Sequence, residues 1–244
     1  MCAQRASTVL VATAVQQEAA SIARALHARV HEFPLWRAIP LIEGVEIVRI
    51  GVGPAAAGAG TARCLDHTRH GALLSMGVAG ATWAGDDATS GSLEIGTSML
   101  ATRSEFTDLG LRTSTGFESV ADMGFGTTEF GDVFAPDPLL RNALAPEVDV
   151  LGPIATVSTC SGTDELARFV RDRLHAEPGG EGMEGAAVGL VAALTGPGVP
   201  FAEVRVISNT TGDRARQTWD LPTAFGALER VSACVLPALV RALQ

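Results

Sequence analysis

A chain of 244 residues, 47% hydrophobic and 18% charged, is long enough to bury a full core and too apolar to be disordered. Its formal charge of −9, with no basic run, argues against duplex nucleic acid or an anionic membrane as partner and leaves small metabolites. Cys2, Cys64, Cys160 and Cys234 are scattered outside any metal-ligand spacing. There is no signal-like leader and no run of eighteen apolar residues. The expectation is a cytoplasmic protein without metal or cofactor.

Ser7–Thr13 is a β-branched run that reads as the first buried strand, and Gln16–Ala28 follows with apolar residues at helical spacing. Val45–Gly51 predicts a strand, Pro54–His70 an Ala-rich helix and Ala72–Val78 a third strand. Leu93–Thr102 and Ile154–Thr159 are further strand candidates. Asp164–Leu174 predicts a helix with Thr163 as its N-cap. Met183–Leu194 reads as an apolar helix, Phe201–Ser208 as a strand and Thr223–Leu243 as a long C-terminal helix. This alternation predicts one α/β domain over residues 1–244, with a mixed, mostly parallel sheet flanked by helices. Ligands in such folds sit at the carboxyl ends of the strands.

Two stretches are rich in glycine. Gly85–Ser92 reads as a polar loop. Gly110–Asp132 carries Phe117, Phe125 and Phe130, so it is either a lid or binding wall or a plain surface excursion. Gly51-Val52-Gly53-Pro54 after a strand fails the dinucleotide spacing, although its glycines would let backbone N–H groups approach a small ligand. His27, His31, His67, His70 and His175 lie in no HExxH or triad context and are expected on surfaces or helix faces. No G-x-S-x-G elbow is present.

Three segments carry candidate chemistry. Ala14-Val15-Gln16-Gln17-Glu18 leaves the first strand, Gly182-Met183-Glu184-Gly185-Ala186-Ala187 enters an apolar helix, and Arg205-Val206-Ile207-Ser208-Asn209 closes a late strand. Glu18 and Glu184 could simply be first-turn acids that complement helix dipoles. Glu184 lies between Met and small residues, where burial without a partner is costly, so a bound hydroxyl is the expectation there.

These segments, with Ser75-Met76-Gly77-Val78-Ala79-Gly80, resemble in order the motifs of methylthioadenosine/S-adenosylhomocysteine nucleosidases and purine nucleoside phosphorylases. The resemblance spans the chain from first strand to last. It implies a homo-oligomer, a dimer or larger, that cleaves a purine nucleoside. It also implies that Glu18 activates water and that Met183 and Glu184 bind the ribose. Arg205 falls near the nucleophile, and Val78, Ala79, Gly80 and Ser208 fall among the substrate contacts.

Two departures matter. Val78 stands where the family's phosphorylases use a Ser for phosphate, with no Arg in that segment, which favours water. Asn209 stands where adenine-cleaving members carry an acid that protonates N7, and an amide suits a 6-oxopurine better. The run Ser208–Arg214 with Trp219 resembles the futalosine-hydrolysing branch of the family, which releases hypoxanthine in a menaquinone route. A 6-oxopurine phosphorylase, a methylthioadenosine-type nucleosidase and a non-catalytic nucleoside-binding protein remain open at this point.

Overall fold

The computed structural model describes residues 7–82, 93–125, 131–195 and 198–244. β1 (Thr8–Thr13) leads into α1 (Gln16–Ala25), β2 (Ala38–Ile42), β3 (Val45–Arg49), α2 (Pro54–Cys64) and β4 (His70–Ala81). β5 (Ser98–Phe106) precedes a small ribbon, β6 (Gly110–Arg112) and β7 (Phe117–Ser119), then β8 (Val133–Phe134) and α3 (Pro138–Leu144). The order ends with β9 (Val150–Thr156), α4 (Asp164–Arg173), β10 (Gly180–Gly182), α5 (Gly185–Leu194), β11 (Phe201–Thr210) and α6 (Leu221–Leu243).

The main sheet runs β10-β9-β5-β11-β4-β1-β3-β2, and β10 also pairs with β4. That second pairing closes β10, β9, β5, β11 and β4 into a ring, with β1, β3 and β2 extending from it. β4 makes closure feasible because its twelve residues pair with β1 and β11 along their length and reach β10 at Gly80 and Ala81. The sheet is mixed, as expected: β4 is parallel to β1 and β11, whereas β5 is antiparallel to β11.

Helices cover both faces. Alternate residues of the central strands, such as Val9, Val11, Leu74 and Val204, pack against α1, α3 and α6. Their neighbours Leu10, Ala12 and Leu73 join α2 and α5 in a second cluster. α5 reads GAAVGLVAAL, with no polar face, because it is buried nearly all round. α6 is long and apolar enough to cross a membrane, yet half of it packs into the core. Asp220 caps it, accepting from the Thr223 N–H at 3.0 Å.

Several expectations shift. The helix after β3 stops at Cys64, and His70 opens β4 instead of ending that helix. His70 is buried rather than on a surface. Its Nδ1 accepts the Asp66 N–H at 3.0 Å, which leaves Nε2 to donate toward Glu46 at 3.2 Å. Burial lowers its pKa, so a neutral ring is the consistent state. Thr163 caps α4 as predicted. β2, α3 and β10 had no clear sequence pattern.

Of the two readings left open for the aromatic loop, the described part fits the surface excursion. Phe117 packs edge-on against Phe169 at 5.2 Å between centroids, and Phe125 is 70% exposed, so neither forms a binding wall. Phe130 and the Gly85–Ser92 loop lie outside the described residues.

Candidate active site

A cleft of about 470 Å³ opens where β1, β4, β10 and β11 reach their carboxyl ends. Glu18, Val78, Ala79, Gly80, Met183, Glu184, Ser208 and Asn209, the candidates named from the sequence, all line it. Arg205 does not line it. It is buried behind the wall, 2% exposed, and works on the cleft only through the groups it holds.

Glu18 stands in the first turn of α1 and turns back to the end of β1. Its Oε2 accepts from Thr13 Oγ1 at 2.9 Å, the Ala14 N–H at 3.0 Å and the Val15 N–H at 3.1 Å. Oε1 accepts the Val78 N–H at 2.9 Å. The helix-start position and a place in the cleft lining therefore coincide in one side chain. Oε2, with three donors, is saturated, whereas Oε1 has about two acceptor positions and one donor, so one position on Oε1 stays open. Gly77 makes this approach possible, because a Cβ there would collide with the Glu18 carboxylate and crowd Arg205. Burial raises the Glu18 pKa above its ordinary value, with Glu184 adding to the rise and Arg205 opposing it.

Arg205 is shared among acids. Its Nε donates to Glu203 Oε1 at 2.8 Å, and Nη1 lies 3.2 Å from Glu184 Oε2. Nη1 also donates to the Val78 carbonyl at 3.3 Å and Nη2 to Ser75 Oγ at 3.2 Å. Burial alone would lower its pKa, but Glu203, Glu184 and Glu18 together raise it, so it stays cationic. Glu203, fully buried, is itself pushed up by desolvation, and Ser104 donates to its other oxygen. With every group ionised, three carboxylates face one guanidinium, and the cluster carries excess negative charge.

Glu184 is not left without a partner, as its sequence context suggested. Besides Arg205, it accepts the Gly53 N–H at 3.1 Å on Oε1. Gly53 has φ +88°, a conformation side chains resist, so the glycine turn after β3 aims an N–H at a carboxylate rather than at a phosphate.

At the far end, β11 slips register against β4 between Ile207 and Asn209. That bulge lets consecutive residues, Ser208 and Asn209, both line the cleft. Ser208 Oγ lies 2.9 Å from Asn209 Oδ1 and 3.2 Å from the Ala79 carbonyl, while Asn209 Nδ2 donates to the Thr210 carbonyl at 2.9 Å. One Asn209 N–H remains unused. Residues 218–220 pair back onto β11, seating Trp219 across from Asn209. Arg214 stacks on Trp219 at 4.7 Å, and Gln217 ties both to the Ser161 carbonyl.

Thr13, Ser161, Glu181, Glu203 and Gln217 were missed as site components. Glu203 had a signal, being an acid inside an apolar strand two residues before Arg205 and hence on its face. Glu181 and Ser161 had none, because only the closure of β10 onto β9 and β4 brings them in. Cys160 also lines the cleft, but desolvation, then Glu181, Glu184 and Asp108, push its thiol up to about 11, so it is no ready nucleophile. Among the described residues no cluster of acids, His or Cys is arranged to hold a metal.

Comparison with known proteins matches residues 8–244 to the family described as the phosphorylase superfamily. The chain is 35% identical over 238 residues to a futalosine hydrolase of Streptomyces coelicolor, covering 95% of this chain and 96% of the relative. It is 35% identical over 199 residues to a futalosine hydrolase of Acidothermus cellulolyticus, covering 78% and 74%. Among solved structures, a methylthioadenosine/S-adenosylhomocysteine nucleosidase from Colwellia psychrerythraea in complex with adenine superposes with TM-score 0.70 at 20% identity, covering 98% and 96%.

Proposed function

We propose that this chain, which belongs to the phosphorylase superfamily, is a nucleosidase that hydrolyses futalosine to hypoxanthine and dehypoxanthine futalosine. The reaction class rests on one observation, the cluster of Glu18, Glu184 and Glu203 around a single Arg205 at the cleft wall. Breaking the N-glycosidic bond sends its electron pair to the purine and leaves positive charge on the sugar. Surplus fixed negative charge beside the ribose stabilises that transition state. Glu184 faces the cleft and carries the charge that meets the ribose. The free acceptor position on Glu18 Oε1 holds the water, whose proton passes to Glu18 as its oxygen bonds to the anomeric carbon. The departing purine anion takes a proton from solvent to become hypoxanthine, and Glu18 returns its own to solvent. Arg205 positions these acids.

Water rather than phosphate is the nucleophile in this account. Val78 offers no hydroxyl to an anion, and the cation nearest Glu18 is already taken up by carboxylates. The choice of futalosine is supported by the two curated relatives and by Asn209, whose spare N–H suits the acceptors N7 and O6 of hypoxanthine. The same proposal places the protein in the cytoplasm, in menaquinone biosynthesis, as a homo-oligomer. The free thiols Cys64, Cys160 and Cys234 support the first. Exposed Leu35, Trp36 and Val52 offer an apolar surface for the last.

The test is direct: incubate with futalosine, inosine and methylthioadenosine, each with and without phosphate, and identify the released base. Hypoxanthine from futalosine without phosphate is the expected result. Phosphate-dependent release would make the chain a phosphorylase, and tight binding without release would make it a binding protein.

A further inference from the structure

One buried acid in the cleft has no part in the chemistry above. Glu181 is 6% exposed and lines the cleft, yet no cation pairs with it among the described residues, whereas Glu18, Glu184 and Glu203 share Arg205. Among the described residues its hydrogen bonds come from Ser161, whose N–H donates to Oε1 at 2.7 Å and whose hydroxyl donates to Oε2. A carboxylate has about four acceptor positions, so one on each oxygen remains open. A buried carboxylate with spare lone pairs and no counter-charge is costly, and a ligand that donates to it relieves that cost.

Its position selects the donor. Glu181 pairs with Gly80 from one side of β4, and Asn209 pairs with the same Gly80 from the other. With strands about 4.8 Å apart, the two Cα atoms stand about 10 Å apart across the cleft wall. A 6-oxopurine presents acceptors at N7 and O6 and a donor at N1 around one edge, so a donor amide and an acceptor carboxylate flanking that edge complement it. An adenine has an acceptor at N1 and would meet Glu181 with lone pairs on both sides.

We propose that Glu181 is a specificity-determining residue that accepts the N1–H of the 6-oxopurine, with Ser161 holding its carboxylate in place. Together Glu181 and Asn209 read the whole edge, N7 and O6 from one side and N1 from the other. Neither residue moves a proton in the reaction. This proposal rests on the 6-oxopurine reading of the substrate.

The experiment measures binding of hypoxanthine, 1-methylhypoxanthine and adenine by titration calorimetry to the wild type and to Glu181→Gln, alongside futalosine cleavage by the wild type. One mispaired buried polar contact corresponds to at least about fivefold in affinity. Wild type should bind hypoxanthine at least about fivefold tighter than 1-methylhypoxanthine. Glu181→Gln should lose at least about fivefold for hypoxanthine and keep or gain affinity for adenine, because its amide can donate to N1. A smaller loss, or equal losses for hypoxanthine and adenine, overturns the proposal. If the variant does not fold, the wild-type pair decides, since equal affinity for hypoxanthine and its 1-methyl form overturns it as well. A wild type that cleaves futalosine while failing these comparisons leaves the substrate reading standing. A wild type that neither cleaves futalosine nor binds hypoxanthine removes the reading on which the proposal rests.

Discussion

Glu203 accepts the Nε–H of Arg205 at 2.8 Å from two positions earlier on the same strand, directly beneath the start of α5. The helix can come that close because its first residue is Gly185. A Cβ at that position would run into the Glu203 carboxylate. Gly185→Ala should therefore push Glu203 aside and unseat Arg205, although Ala is the better helix former. Overpacking of this kind typically costs about 1–3 kcal/mol. Denaturant unfolding should show that loss together with a drop in kcat/KM. A variant as stable and as active as wild type would mean that Glu203 is not a rigid support.

Glu18→Gln should bind substrate and nearly lose turnover, since an amide cannot take the proton of the attacking water. General-base losses run about 10²–10⁴-fold in kcat. The side chain would still accept from Thr13 and Val15 through its carbonyl, but its NH2 would face the Val78 N–H that Oε1 now accepts, so a modest loss of stability should accompany the loss of turnover. Retention of more than about a tenth of wild-type kcat, outside that range, would remove Glu18 from the base role.

The pH dependence has a definite sign. Burial raises the Glu18 pKa above 4.5, and a base acts only when ionised, so kcat/KM should fall as pH drops through that raised value. Stability should move the other way. The folded state holds the Glu18 and Glu203 protons more tightly than the unfolded state does. Their contribution is complete below the ordinary carboxylate pKa and is lost as pH rises through the folded values. Unfolding free energies measured across this window should decline with pH less steeply in Glu18→Gln. An unchanged slope in that variant would show that Glu18 is ionised throughout.

The sequence carried the order of β1, α1, β4, β11 and α6 because the three strands are mostly apolar runs buried on both faces, while the two helices place apolar residues at a 3.6 period. It also carried Glu18, Glu184, Arg205 and Asn209, through motifs at strand ends. What it lacked was pairing. β10 is three residues long, Gly180–Gly182, and has no pattern of its own, so the ring it closes and the placing of Glu181 beside Gly80 were invisible. Gly53 was read as backbone able to approach a ligand; that its N–H meets Glu184 depends on a contact 131 residues away in the chain. The sequence left the place of Phe117 open between a binding wall and a surface excursion, because its partner, Phe169, belongs to α4, far along the chain.

Glu184→Gln should lower kcat more than it raises KM. The amide can still bond ribose hydroxyls in the ground state and still accept from Gly53, but it brings no charge to the cationic sugar. It also removes one of the acids on Arg205, so the cluster becomes less negative. Steady-state kinetics on futalosine separate the cases. A change confined to KM would make Glu184 a binding residue only.

Asn209 should set the choice between 6-oxo and 6-amino bases, and its surroundings say how an acid would behave in its place. Oδ1 already accepts from Ser208, and Nδ2 donates to the Thr210 carbonyl at 2.9 Å. In Asn209→Asp the second oxygen would face that carbonyl, lone pair against lone pair, in a site where the residue is 6% exposed. Holding a proton there relieves the repulsion, so the acid should stay protonated well above the ordinary Asp range. That single proton, shared with the Thr210 carbonyl, is the one it can pass to a purine N7, a transfer the amide cannot make. Hypoxanthine release should weaken as the amide's two donors become one, while adenine nucleosides gain a route to leave. A mispaired buried contact is worth about 1–3 kcal/mol, or roughly 5- to 150-fold. The ratio of kcat/KM for futalosine to that for methylthioadenosine should therefore fall by an amount in that range. A wild type that already prefers methylthioadenosine, or a ratio that does not move, would return Asn209 to a structural part in the bulge of β11.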